Sequence, residues 1–140
     1  MSKVAVVFWS GTGNTEAMAD LVVRGIQSKG STAELIRASD FNAGLIDNYD
    51  AFAFGCPAMG DEELEETEFL PMYDEVEPLL AGRKVALFGS YEWNDGEWME
   101  LWENRANEAG LDLVETVIAY DYPDEEASLE CERLGALIGA

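Results

Sequence analysis

Residues 10–15 read Ser-Gly-Thr-Gly-Asn-Thr, after the apolar run Val4–Trp9 and before a helical pattern. The stretch is rich in hydroxyls, amides and backbone N–H groups and contains no Lys, Arg or His. A glycine-rich turn from strand to helix suits an anion, because the first helical N–H groups lack partners and the helix dipole is positive there. It is not a Walker A loop, since no Lys follows the last Gly, nor a dinucleotide fingerprint, since Glu16 stands where a third Gly is needed. A phosphate monoester, with close to two negative charges at neutral pH, fits what remains. Charge-assisted bonds of about 1.5–3 kcal/mol each would together hold it without a cation. The plain alternative is a helix cap, for which Asn14 or Thr15 alone would suffice.

Two more stretches carry unusual chemistry, "CPAMGDEE" (Cys56–Glu63) and "GSYEWNDGEW" (Gly89–Trp98). Tyr91 and Trp93 stand in a polar turn, either as the rim of the core or as walls of a slot for a flat ligand. Beside a phosphate loop they favour a planar ring that carries a phosphate. The chain has no His, which excludes a catalytic triad, an imidazole base and His-ligated metal sites. Cys56 and Cys131 lack a third thiol for a metal, so no metal is expected. Cys131 falls at helical spacing with Leu134 and Ile138 and reads as a small buried hydrophobe; neither a disulfide nor a catalytic thiol is expected.

The elements that must position these stretches alternate along the chain. Val4–Trp9, Ala51–Gly55 and Lys84–Gly89 are nearly continuous apolar runs ended by turn residues, the pattern of strands covered on both faces. Thr32–Arg37 and Asp112–Tyr120 are mixed, as edge strands are. Between them, Met18, Leu21, Val22, Gly25 and Ile26 make one face of a helix from about Asn14 to Gly30. Phe69–Leu80 is a weaker helix with Pro71 in its first turn and Pro78 near its end. Trp98, Leu101, Trp102, Arg105 and Ala106 form the stripe of another helix, closed by Gly110, and Leu134, Leu137 and Ile138 point inward from the last one. Ala43–Ile46 is only weakly helical. The expectation is a single α/β domain over residues 1–140, doubly wound, with five parallel strands in the order 2-1-3-4-5 and helices on both faces. Ligands of such sheets bind beyond the C-terminal strand ends where the winding reverses, between strands one and three. The loops after strands one, three and four are the three odd stretches.

Composition narrows the partners. With 29 acidic and 8 basic residues among 140, the net charge is −21, which repels nucleic acid and anionic membranes and attracts basic protein surfaces. Residues 61–77 alone hold nine carboxylates, read mostly as a solvated face. Nothing at the N-terminus looks like a signal peptide and the apolar runs are too short to span a bilayer, so a monomeric cytoplasmic protein is expected.

The stretches "WSGTGNTEAM", "GCPAMGDEELEE" and "VALFGSYEWNDGEWM" closely resemble the three cofactor loops of short-chain flavodoxins, those of clostridia and related anaerobes in particular. The resemblance implies a flavodoxin-like fold and a low-potential single-electron carrier that binds FMN non-covalently and serves redox partner proteins. Ser10, Gly11, Thr12, Gly13, Asn14 and Thr15 would hold the phosphate, with Ser90 near the ribityl chain. Met59 would lie on the inner face of the ring and Trp93 on the outer, with Glu62 accepting from the pyrimidine N–H. The backbone around Ala58, Met59, Gly60 and Asp61, and from Gly89 through Ser90, Tyr91, Glu92 and Trp93 to Asn94 and Asp95, would meet the other polar edges. Gly60 would let its peptide turn towards the protonated ring after one-electron reduction, a freedom a Cβ would restrict. Glu92 and Asn94 stand where the related sequences typically have glycine; a positive φ there would strain Glu92. A small FMN-dependent reductase and a cofactor-free acidic interaction module are the alternatives. The first needs room beside the flavin and a nicotinamide site, the second predicts no visible absorbance.

Overall fold

The computed structural model describes residues 2–59, 63–92 and 96–140. Five parallel strands, β1 (Lys3–Phe8), β2 (Thr32–Arg37), β3 (Ala51–Gly55), β4 (Lys84–Tyr91) and β5 (Asp112–Tyr120), form one sheet in the order β2-β1-β3-β4-β5. The helices are α1 (Asn14–Ser28), α2 (Phe69–Val76), α3 (Glu97–Glu108) and α4 (Glu125–Ile138). Short 3-10 helices cover Ala38–Asp40, Ala43–Asn48 and Glu77–Leu79. The alternation and the strand order match the sequence expectation.

Strand side chains alternate faces, so the sheet splits the core in two. Val4, Val6 and Phe8 pack under α1 and α4 with Met18, Val22, Ile26, Cys131, Leu134 and Ile138. Ala5, Val7, Phe52 and Phe54 pack on the other face with Phe69 and Tyr73 of α2 and Trp98 and Trp102 of α3. α1 and α4 touch backbone to backbone: a Cβ on Gly25 would lie 2.0 Å from the Glu132 carbonyl oxygen, and one on Gly135 2.1 Å from that of Val22.

Several details depart from the sequence reading. Leu101 and Leu137 are 52% and 43% exposed rather than inward, and Met99 takes the inner place beside Trp98 and Trp102. Leu101 sits at the edge of its stripe, where period alone does not decide which flank is covered. β4 runs two residues past Gly89, to Tyr91, because β5 pairs with it up to Tyr91–Tyr120. α2 stops at Val76 and continues as a 3-10 turn, since Pro78 lacks an N–H and disfavours α geometry before it. In the acidic run, Glu65 and Glu77 are only 4% and 9% exposed, whereas Glu63, Glu66, Glu68, Asp74 and Glu75 are solvated. Glu77 and Asp74 both accept from the Arg105 guanidinium.

Candidate functional site

The three odd loops meet at the C-terminal edge of the sheet. β1 hands over at Trp9, whose N–H donates to the Gly55 carbonyl (3.0 Å). The turn that follows is held by Ser10, whose Oγ accepts from the N–H of Gly13 (3.0 Å) and Glu16 (3.3 Å). Gly13 supplies the left-handed residue (φ 97°) that swings the chain into α1. No side chain of Asn14 or Thr15 caps the helix. Thr15, 1% exposed, instead shares a hydrogen bond of 3.2 Å with Ser90 Oγ, tying the first loop to the third. Among the described residues, no acceptor faces the N–H groups of Gly11, Thr12, Asn14 and Thr15. An anion is what such a set of donors lacks.

The second loop is braced on both sides. Ala58 N–H donates to the Ser90 carbonyl (3.0 Å), and Met59 and Glu63 exchange two backbone bonds of 3.0 and 2.9 Å across an antiparallel bridge. Trp9 Nε1 donates to Glu68 Oε1 at 3.0 Å, joining the first loop to the N-cap of α2. In the wall behind, the Cys56 carbonyl accepts from Trp98 Nε1 (3.2 Å), and burial pushes the Cys56 thiol up, out of the range of a reactive cysteine. The third loop carries Tyr91, whose ring stands 5.8 Å from that of Trp98 and 5.6 Å from that of Tyr120.

These loops enclose an open cleft of about 250 Å³ lined by Trp9, Gly11, Thr12, Pro57, Ala58, Met59, Ser90, Tyr91 and Glu92. Seven of the sequence-derived site residues are therefore brought to one cavity. Ser10, Gly13, Asn14, Thr15 and Gly89 do not line it; Ser10 and Gly13 shape the first loop, and Thr15 and Gly89 are buried. Gly60, Asp61, Glu62, Trp93, Asn94 and Asp95 lie outside the described residues. Glu92 carries no strain, because Asp121 (φ 57°) is the only non-glycine of positive φ among the described residues. Sequence reasoning missed Trp9 and Pro57 as lining residues. In the sequence Trp9 reads as the last residue of the strand, and its signal is an aromatic adjoining a glycine turn. It also missed Arg37 at the end of β2, whose Nη2 lies 3.7 Å from Glu16 Oε2 and whose guanidinium sits over the Phe8 ring. Among the described residues there is no cluster of His, Cys, Asp and Glu suited to a metal, and no helix long and apolar enough to cross a membrane.

A model of the flavodoxin family matches residues 6–135. The flavodoxin of Clostridium beijerinckii is 46% identical over 133 residues, covering 95% of this chain and 96% of that one. The flavodoxin of Megasphaera elsdenii is 42% identical over 132 residues, covering 94% and 95%. In structure, the chain is similar to the two-electron reduced Megasphaera elsdenii flavodoxin, with a TM-score of 0.90 and 41% identity over 97% of this chain and 98% of that one. Oxidised flavodoxin 1 of Bacillus cereus gives a TM-score of 0.85 at 29% identity, covering 98% and 97%. With the family model matching most of its length, relatives above 40% identity and the same fold, the chain belongs to the flavodoxin family of FMN-binding electron carriers.

Proposed function

We propose that FMN sits in the cleft between the β1, β3 and β4 loops, and that the chain delivers single electrons from there to proteins with basic docking surfaces. The observation that carries this reading is the row of unpartnered N–H groups, two of which, on Gly11 and Thr12, belong to cleft-lining residues. The donor chemistry fits the cofactor. The first loop offers N–H, hydroxyl and amide donors for a phosphate, and Pro57, Ala58, Met59, Trp9 and Tyr91 offer apolar and aromatic walls for a ring. The bound cofactor supplies the one-electron chemistry that these side chains lack.

Each loop has its own part. Thr12, Asn14 and the N–H groups of Gly11, Thr12, Asn14 and Thr15 hold the phosphate, while Ser10 keeps the turn in shape through its two accepted bonds. Met59 and Tyr91, both in the cleft lining, offer walls for the ring, and the partners that the resemblance implies at Gly60–Glu62 and Trp93–Asp95 lie outside the described residues. Exposed carboxylates near the cleft, Glu63, Glu66 and Glu92 among them, disfavour added negative charge there. A carboxylate ~7 Å from such a charge costs it about 2 kcal/mol at an effective dielectric near 20. For a one-electron couple, about 1.4 kcal/mol corresponds to about 59 mV, so the second reduction is driven to low potential. The same acidity, −21 overall, steers basic partners towards the cleft edge. The reading includes a single, monomeric, cytoplasmic domain.

Mixing the cofactor-free protein with FMN is the test. FMN fluorescence is quenched to a stoichiometric end point, and heat or acid releases the yellow pigment again. Undiminished fluorescence at micromolar protein overturns the reading.

A further inference from the structure

Glu65 stands apart from the other acids of its run. At 4% exposure it is enclosed, and its carboxylate receives four donors. Oε1 accepts from the N–H of Glu68 (2.8 Å) and Phe69 (2.9 Å). Oε2 accepts from the N–H of Thr67 (2.8 Å) and from the Thr67 hydroxyl. The Glu65 carbonyl accepts from Leu70 N–H (2.7 Å), and its own N–H points to Cys56 Sγ at 3.3 Å. Burial works to raise its pKa, but the bonds from Thr67, Phe69 and Glu68 outweigh that and hold the carboxyl below the usual carboxylate range. The N-cap position of α2, Glu68, makes no side-chain cap bond, so Glu65 satisfies the first N–H groups of this helix from three residues upstream.

This knot lies between α2 and the Met59–Glu63 bridge. Glu63 is two residues from Glu65 and exchanges two backbone bonds with Met59. Glu68, whose N–H is held by the same knot, accepts from Trp9 Nε1. Met59 and Trp9 both line the cleft. We propose that Glu65 is the positioning residue of the flavin loop: its enclosed carboxylate ties residues 65–70 into one turn, and that turn keeps the Met59–Glu63 bridge and the Trp9–Glu68 bond in the geometry that receives the ring. This rests on the reading that FMN occupies the cleft.

Glutamine at position 65 keeps the shape but brings an NH₂ donor against N–H donors, so half of the carboxylate's partners lose their acceptor. The binding-ready fraction of the loop falls, and the apparent Kd rises by the same factor. The phosphate loop is untouched, so FMN and riboflavin lose affinity equally. The experiment compares Glu65→Gln with Glu66→Gln, which removes the same charge from a solvated neighbour. For Glu65→Gln we expect a rise of about tenfold or more in both Kd values. Amide exchange of residues 67–69 should accelerate while β1, β3 and β4 stay protected, and the first one-electron potential should move further than in Glu66→Gln. Kd values within about twofold of those of Glu66→Gln, with residues 67–69 still protected, overturn the proposal. Should Glu65→Gln not fold, Thr67→Val removes the hydroxyl bond alone and must show a smaller, again equal, loss for the two flavins; no loss refutes the proposal. A wild-type chain that binds neither flavin sinks the parent reading instead.

Discussion

Gly89 lies where β4 passes the end of β3, and the space for its side chain is already taken. A Cβ built there would sit 2.1 Å from the Cys56 carbonyl oxygen, 3.0 Å from its carbon and 3.1 Å from Trp98 Cζ2. Ordinary contact begins at 3.4 Å, so Gly89→Ala forces strand backbones apart by ~1 Å in a core packed without slack. Overpacking of that kind costs about 1–3 kcal/mol. The displaced Cys56 also accepts from Trp98 Nε1 at 3.2 Å and donates to the Phe88 carbonyl at 3.1 Å, and losing or stretching such bonds costs about 1 kcal/mol each. A total near 3 kcal/mol, set against an unfolding entropy of about 2.1 cal/mol/K per residue, lowers Tm by about 10 °C. Gly82 is the control: its φ is +77° but nothing lies within 4 Å of a Cβ, so Gly82→Ala meets only backbone strain of about 1 kcal/mol, or about 3 °C. Thermal unfolding of the cofactor-free proteins, followed by circular dichroism, measures both. If Gly89→Ala melts no lower than Gly82→Ala, the close approach of β3 and β4 behind the cleft is not the constraint argued here.

Other perturbations test the site directly. Replacing Thr12 and Asn14 together by Ala should weaken FMN by about 10²–10⁴-fold, at about 1.5–3 kcal/mol per charge-assisted bond, and riboflavin by only a few-fold in parallel fluorescence titrations; equal losses would show that the phosphate is held elsewhere. On the peptide turn that the resemblance implies for Gly60, Gly60→Val should lower the first one-electron potential and leave the Kd of oxidised FMN nearly unchanged; unmoved potentials in an anaerobic titration count against it. Tyr49, buried and donating to Glu34 Oε2 at 2.7 Å, has its phenol pushed up to about 12, by burial first and by Glu34 second. Because the folded pKa is the higher one, its contribution is complete below about pH 10 and is lost as the pH climbs towards 12. Tyr49→Phe should therefore flatten that part of the alkaline denaturation profile, and parallel curves for the two proteins would refute the assignment.

The relation between chain and fold is plain at particular residues. Val4–Phe8, Ala51–Gly55 and Val85–Phe88 are apolar at nearly every position, and only a strand covered on both faces accepts that, so the central sheet and its order were legible in one dimension. Residues 10–15 combine glycine with small polar side chains at a strand–helix junction, and that alone raises the expectation of an anion there. Period alone could not decide the flanks of stripes: Leu101 and Leu137, at the edges of theirs, are 52% and 43% exposed.

What only the tertiary structure decided are the long-range pairings. Thr15 with Ser90, Trp9 with Glu68, and Gly89 with the carbonyl of Cys56 join positions from 33 to 75 residues apart or backbones with no side chain to signal them. In the string, Glu65 is one more carboxylate among nine; folded, it is the one among the described residues of that run that accepts four hydrogen bonds. The physical reason is that periodicity and residue type are local properties written along the chain, whereas burial and hydrogen-bond partnership belong to the space between elements and arise only when the sheet brings its loops together.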